Sequence, residues 1–191
     1  MRIALFASGT GSNVEAILQA VQETKLEADP VFVFSDRSDA RVLEKAKNYE
    51  VQTYSFRPRD FDNKQRYEEA LLKLLEKNQV DWVILAGYMR LLGPTLLEPY
   101  ENRIVNIHPS ILPAFPGIDA IGQALEAEAD QTGVTVHYVD AGMDTGQVIR
   151  QETVAIDAWE TKESLAKKVQ KIEHRMYPET LQCMFKKAKK R

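Results

Sequence analysis

Asn106 and His108 lie in the segment NIHPSILPAFPG, residues 106–117, where the apolar run Arg103-Ile104-Val105 gives way to three prolines. Proline donates nothing to a sheet ladder and pushes the preceding residue away from helix, so the segment leaves a strand as a stiff, extended loop. Side chains alternate along a strand, which puts residues 106 and 108 on one side at its exit. Asparagine offers a fixed amide donor, and histidine gives or takes a proton near neutral pH. Together they suit acyl-type chemistry, in which an oxyanion is stabilised and a proton is moved. Leu112-Pro113 is the candidate for a cis bond, because tight proline corners beside sites use one.

A carboxylate could orient His108, and the turn DAGMDTG, residues 140–146, supplies both Asp140 and Asp144. The sequence leaves open which of the two does so, and either could be a plain turn aspartate. SGTGSN, residues 8–13, follows an apolar run and opens a helix. Its glycines let backbone amides approach an anion, and a helix N-terminus attracts negative charge, so one monophosphate fits there. Val14 replaces the third glycine of a dinucleotide fingerprint, and no lysine follows as in a nucleotide P-loop. Ser8, Ser12 and Ser110 lack a G-x-S-x-G frame, so a nucleophile for acyl transfer should belong to the substrate. His137 reads as a strand histidine hydrogen-bonded in place, Glu173 and His174 as a helix face, and Cys183 as packing.

Alternating strands and helices must position these groups. Apolar runs predict strands at 2–8, 30–36, 52–56, 82–87, up to Ile107, 133–140 and 146–156. Helical spacing predicts helices from about Val14, at 39–49, 64–78, near 94–100, at 119–129, and from Lys162 to the end. WVILAG at 82–87 is the most apolar strand and is expected at the centre. The pattern implies an α/β open, mostly parallel sheet with helices on both faces and the two late strands antiparallel. Ligands of such sheets sit beyond the carboxyl ends of the strands, a rule that gathers SGTGSN, GYMRLLG and NIHPS at one rim.

The chain has 191 residues, 44% hydrophobic and 28% charged, ordinary values for one globular domain spanning 1–191. Its net charge of -3 exerts no long-range pull on nucleic acid or acidic lipid. No stretch reads as a signal peptide or membrane span, which points to the cytoplasm. One cysteine and three histidines without paired spacing argue against a structural metal.

ALFASGTGSN, VILAGYMRLL, NIHPSILPAFPG, GVTVHYVDAGMDTG and QKIEHRMYP, in this order, resemble the phosphoribosylglycinamide formyltransferases of purine biosynthesis over essentially the whole chain. The resemblance implies a Rossmann-like formyltransferase fold. It also implies transfer of a formyl group from 10-formyltetrahydrofolate to the glycine amine of phosphoribosylglycinamide, without metal. By the same resemblance, Asn106, His108 and Asp144 are the catalytic trio. Gly11, Ser12 and Asn13 seat the substrate phosphate, and Glu173 binds the ribose or amine-bearing portion. Met89, Arg90, Leu91 and Leu92, with Asp140, Ala141, Gly142, Met143 and Asp144, line the folate pocket together with Asn106. Arg90, and with it Lys64, suits the folate tail's carboxylate. The expected partners are small molecules, with no nucleic acid or membrane, and the chain is expected as a monomer or weak homodimer.

Three positions depart from the family pattern: Lys64 stands where some relatives have arginine, GIDAIGQ at 117–123 lacks a histidine, and Gln147 replaces a proline. A 10-formyltetrahydrofolate hydrolase would use the same trio with water as acceptor, usually beside an extra N-terminal domain. A methionyl-tRNA formyltransferase would need a further C-terminal domain and a basic surface. A non-catalytic nucleotide- or folate-binding module would use Asn106 and His108 only to fix a loop.

Overall fold

In the computed structural model residues 1–189 are described, so the last two residues of the expected final helix lie outside them. The elements run β1 (Arg2–Phe6), α1 (Ser12–Gln22), β2 (Asp29–Ser35), α2 (Arg41–Asn48), β3 (Thr53–Ser55), α3 (Lys64–Lys77) and β4 (Trp82–Leu85). They continue with α4 (Pro94–Leu97), β5 (Ile104–His108), α5 (Ala120–Glu126), β6 (Gln131–Tyr138), β7 (Val148–Ala155) and α6 (Lys162–Ala188). One seven-stranded sheet has the order β3-β2-β1-β4-β5-β6-β7. Pairing is parallel from β3 through β5 and antiparallel from β5 to β6 and β6 to β7.

The strand expected at the centre, β4, is the middle of the seven. It stops at Leu85 rather than 87, because Gly87 turns the chain at φ 81. Among the described residues α5 begins at Ala120 behind a left-handed Asp119, φ 61, whose carboxylate accepts the Gly122 N–H. It ends at Glu126, three residues short of the expected end.

Burial on both faces explains why β1 reads as an unbroken apolar run. Ile3, Leu5 and Ala7 pack on one side with Val14 and Ile17 of α1 and Leu165, Val169 and Tyr177 of α6. Ala4 and Phe6 pack on the other with Phe32, Phe34 and the α3 residues Tyr67, Leu71 and Leu75. Each such large side chain contributes about 1.5–3 kcal/mol by leaving water. Fully buried Tyr177 ties helix to sheet: its hydroxyl lies 2.8 Å from the Leu85 carbonyl and 3.0 Å from that of Val105, sharing one hydrogen between β4 and β5. The two strands that deliver the candidate residues are therefore pinned near their carboxyl ends. No helix among the described residues is long and apolar enough to cross a membrane.

Candidate active site

The rim beyond β1, β4 and β5 carries two adjoining cavities of about 450 and 490 Å³. The one of about 490 Å³ is walled by SGTGSN, Asp36, Arg37 and the turn after β4. The other is the cleft that holds Asn106, His108, Asp144 and Glu173. Asn13 borders both, so a molecule seated on the glycine loop can extend toward His108.

The glycine loop is shaped by sterics. Gly11 adopts φ 71, and a Cβ there would overlap Val42 of α2, so no other residue fits without movement. As N-cap it provides no side-chain acceptor, which leaves the first amides of α1 available to an anion. Ser12 Oγ accepts from Gln170 Nε2 at 3.0 Å, linking the loop to α6. Ser8 Oγ accepts the Met89 N–H at 2.9 Å, joining the loop to the cleft wall.

His108 ends β5, 5% exposed, and its neighbours explain its fixity. Thr135 stands opposite it on β6. The Thr135 hydroxyl donates to the Ser110 carbonyl at 2.7 Å and accepts the Leu112 N–H at 3.1 Å. Gln151 of β7 donates to the Leu112 carbonyl at 2.8 Å, and Leu112-Pro113 is cis. Hydrogen bonds from two strands, as well as prolines, thus hold the loop.

Asp144, not Asp140, faces His108. Its Oδ2 lies 3.4 Å from His108 Nδ1 and accepts the Gly117 N–H at 2.8 Å. Asp140 instead accepts from Gly142 N–H and the Thr145 hydroxyl, at 3.1 and 2.7 Å, and shapes the turn. His108 Nε2 is 2.9 Å from the Phe115 carbonyl, so that nitrogen carries a hydrogen and donates it. Both ring nitrogens therefore face oxygen acceptors, an arrangement that an imidazolium satisfies fully and a neutral ring only by half.

His137 is a strand histidine hydrogen-bonded in place, as its sequence context suggested, but its partner is Asn106, which the sequence did not indicate. It is 2% exposed and stands directly opposite Asn106 across the β5–β6 pair. Its Nδ1–H donates to the Tyr138 carbonyl at 2.8 Å, which leaves Nε2 as acceptor for the Asn106 amide at 3.1 Å. Burial, first, and the neighbouring His108 push its pKa down, against the pull of the Tyr138 carbonyl and Asp144. With Nε2 unprotonated, the 3.6 Å approach to Asp144 Oδ1 has no hydrogen in it and is not an ion pair. The alternation of β6 alone could not reveal this; knowing that β6 pairs with β5 could have.

Glu173 is half-buried on α6 at the cleft, and desolvation raises its carboxyl to about 7 despite a hydrogen bond from Asn13. Met89, Arg90, Leu91, Leu92, Asp140, Gly142 and Met143 line the cleft with the trio. Two expected folate contacts do not line it. Ala141 lies on the exposed side of its turn, and Lys64 is at the start of α3, 3.6 Å from buried Glu68. Arg90 reaches the rim, but its Nε–H is committed to Asp36 at 2.7 Å. Gly11 and Ser12 belong to the adjoining cavity rather than the cleft. Among the described residues no group of three His, Cys, Asp or Glu side chains is placed to hold a metal ion.

Residues 1–181 match the family described as Formyl transferase. Phosphoribosylglycinamide formyltransferase of Bacillus subtilis is 44% identical over 184 residues, 96% of this chain and 94% of the relative. The crystal structure of phosphoribosylglycinamide formyltransferase from Bacillus halodurans superposes with a TM-score of 0.96 at 49% identity, covering 98% of this chain and 97% of that one. Glycinamide ribonucleotide transformylase 1 from Geobacillus kaustophilus gives a TM-score of 0.94 at 50% identity, over 96% and 97% of the two chains.

Proposed function

The chain belongs to the formyl transferase family, and on that footing we propose that it moves the formyl group of 10-formyltetrahydrofolate onto the glycine amine of phosphoribosylglycinamide in purine biosynthesis. The observation that carries this reading is the meeting of Asn106, His108 and Asp144 on a cleft that joins the glycine-loop cavity at Asn13. A nucleotide monophosphate spans that junction: phosphate on the amides of Gly11, Ser12 and Asn13, ribose beside Glu173, amine toward His108.

The folate supplies the formyl group, and the chain supplies orientation, charge and a proton path. The neutral amine attacks the formyl carbon, and negative charge gathers on the formyl oxygen. Asn106 has one amide hydrogen held by His137, which leaves the other for that oxygen. His108 adds positive charge close by. Its Nε2–H is engaged by the Phe115 carbonyl, so donating it to the oxyanion requires that carbonyl to share it. Donors aimed at a developing oxyanion are worth about 2.7–4 kcal/mol each in comparable sites. Asp144 balances His108 and helps pass the amine proton toward the departing folate nitrogen. Every group invoked comes from one chain, so a monomer suffices, and we assign the reaction to the cytoplasm.

Incubating the protein with both substrates and following formylated nucleotide against free formate tests the reading. Nucleotide-dependent formylation is expected. Formate released at the same rate without nucleotide would instead identify a hydrolase, for which the glycine-loop cavity has no use.

A further inference from the structure

His108 of β5, Thr135 of β6 and Gln151 of β7 stand directly opposite one another in the sheet register, so their side chains form one row on one face. The Gln151 amide nitrogen places both its hydrogens within that row, on the Leu112 carbonyl at 2.8 Å and the Thr135 hydroxyl at 2.9 Å. Thr135 is thereby saturated, since its oxygen also accepts the Leu112 N–H and its hydrogen goes to the Ser110 carbonyl. The Ser110 hydroxyl donates to the Ala114 carbonyl at 2.6 Å, and the Ala114 N–H donates to the Ile111 carbonyl at 2.9 Å. Residues 110–114 are thus closed on themselves and fastened to the sheet at their middle.

The next residue is Phe115, whose carbonyl lies 2.9 Å from His108 Nε2. Its φ of 55 is left-handed, a conformation that a bulky residue keeps only where its surroundings impose it. Two residues later the Gly117 N–H meets Asp144. The loop therefore sets one acceptor of the His108 ring directly and steadies the other through Gly117.

Resting on the function proposed above, we infer that Gln151, which borders neither cavity, is a positioning residue for His108, acting through Leu112, Thr135 and the Phe115 carbonyl. Without its two donors the loop loses its tie to β7, the Phe115 carbonyl shifts, and the ring turns out of line with the formyl oxygen. Both atoms that Gln151 meets there are acceptors, so a neutral amide suits the position and a carboxylate of the same length does not. The glycine loop follows β1, four strands away from β7 in the sheet, so nucleotide binding lies outside this chain of contacts.

The test measures kcat and both KM values for Gln151→Met, and single-turnover rates for the same change in a His108→Ala background. Methionine keeps the length and removes the donors, and position 151 is exposed, so the fold tolerates it. We expect kcat to fall about tenfold with each KM within about twofold. In the His108→Ala background the change should cost nothing further, because a residue acting through His108 has nothing left to position. Gln151→Lys, which returns donors on a flexible stem, should recover most of the lost rate. A kcat for Gln151→Met within about twofold of wild type overturns the inference. An equal loss in both backgrounds also overturns it, by marking a purely structural role. Hydrogen exchange at the His108 Nε2–H, read from isotope-labelled histidine in this three-histidine chain, decides the point without catalysis. It should quicken at least about fivefold in Gln151→Met, and an unchanged rate refutes the positioning. A wild-type protein that forms no formylated nucleotide sinks the parent function, and the exchange comparison then still decides whether Gln151 holds the ring.

Discussion

The amide nitrogen of Asn106 lies 3.1 Å from Nε2 of His137, and because His137 Nδ1–H is spent on the Tyr138 carbonyl, that contact has one polarity: asparagine donates. The neutral ring therefore fixes which face of the Asn106 amide is presented to the cleft. Protonation of His137 would replace the acceptor with a second donor and turn the amide loose.

Replacing His137 with phenylalanine keeps the bulk and removes the acceptor. We expect kcat to fall about tenfold, roughly 1.4 kcal/mol of transition-state stabilisation, with KM for both substrates within twofold. Steady-state kinetics decide it, and kcat within twofold of wild type would exclude the orienting role. The pH sign is also fixed. A histidine whose folded pKa is depressed lends stability that is present above the ordinary value of 6.5 and lost as pH falls through the lowered one. Thermal melts of His137→Phe should therefore fall less than the wild type's as the solution is acidified below 6.5.

Asp144→Asn retains shape and the acceptor for the Gly117 N–H but removes the charge facing His108. Turnover should drop roughly 10²–10⁴-fold, the usual weight of a positioned acid–base group, while calorimetric binding of each substrate stays nearly intact. His108→Ala should likewise lose more in single-turnover rate than in binding. Wild-type-like turnover in either variant would remove that residue from the chemistry.

Glu173 makes the resting protein lose stability as pH rises from about 4.5 to about 7. Burial raises its carboxyl from 4.5 to about 7, so its contribution to stability is whole below about 4.5 and lost as pH rises through about 7. Glu173→Gln should match the wild type near pH 4.5 and exceed it at pH 8 by about 2–3 kcal/mol, visible as a melting temperature several degrees higher. The same variant should bind the nucleotide more weakly. Equal melts at pH 8 would show that the carboxyl is not desolvated.

Gly11→Ala meets two penalties, a positive φ and overlap with Val42. We expect a loss of roughly 2 kcal/mol in stability and much weaker binding of the nucleotide phosphate. Adding Val42→Ala should return part of the stability, since it relieves the overlap but not the backbone strain. Denaturant midpoints of the single and double variants separate the two causes, and a neutral Gly11→Ala would refute both.

Local pattern was enough for the order of elements, the central place of β4 and the shared face of Asn106 and His108. These depend on periodicity and on proline's missing N–H, which neighbours along the chain enforce by themselves. The choice of Asp144 over Asp140 was not legible, because both sit in one turn and only its path across the sheet decides which carboxylate meets His108. The partner of His137 was hidden for a related reason: Asn106 lies 31 residues away and faces it only through the antiparallel register of β5 and β6. The fates of Arg90 and Lys64 were equally closed to the sequence, which counts charges but cannot pair them across packed elements. Periodicity is a property of a segment, whereas hydrogen-bond polarity, desolvation and ion pairing belong to groups that only tertiary packing brings together.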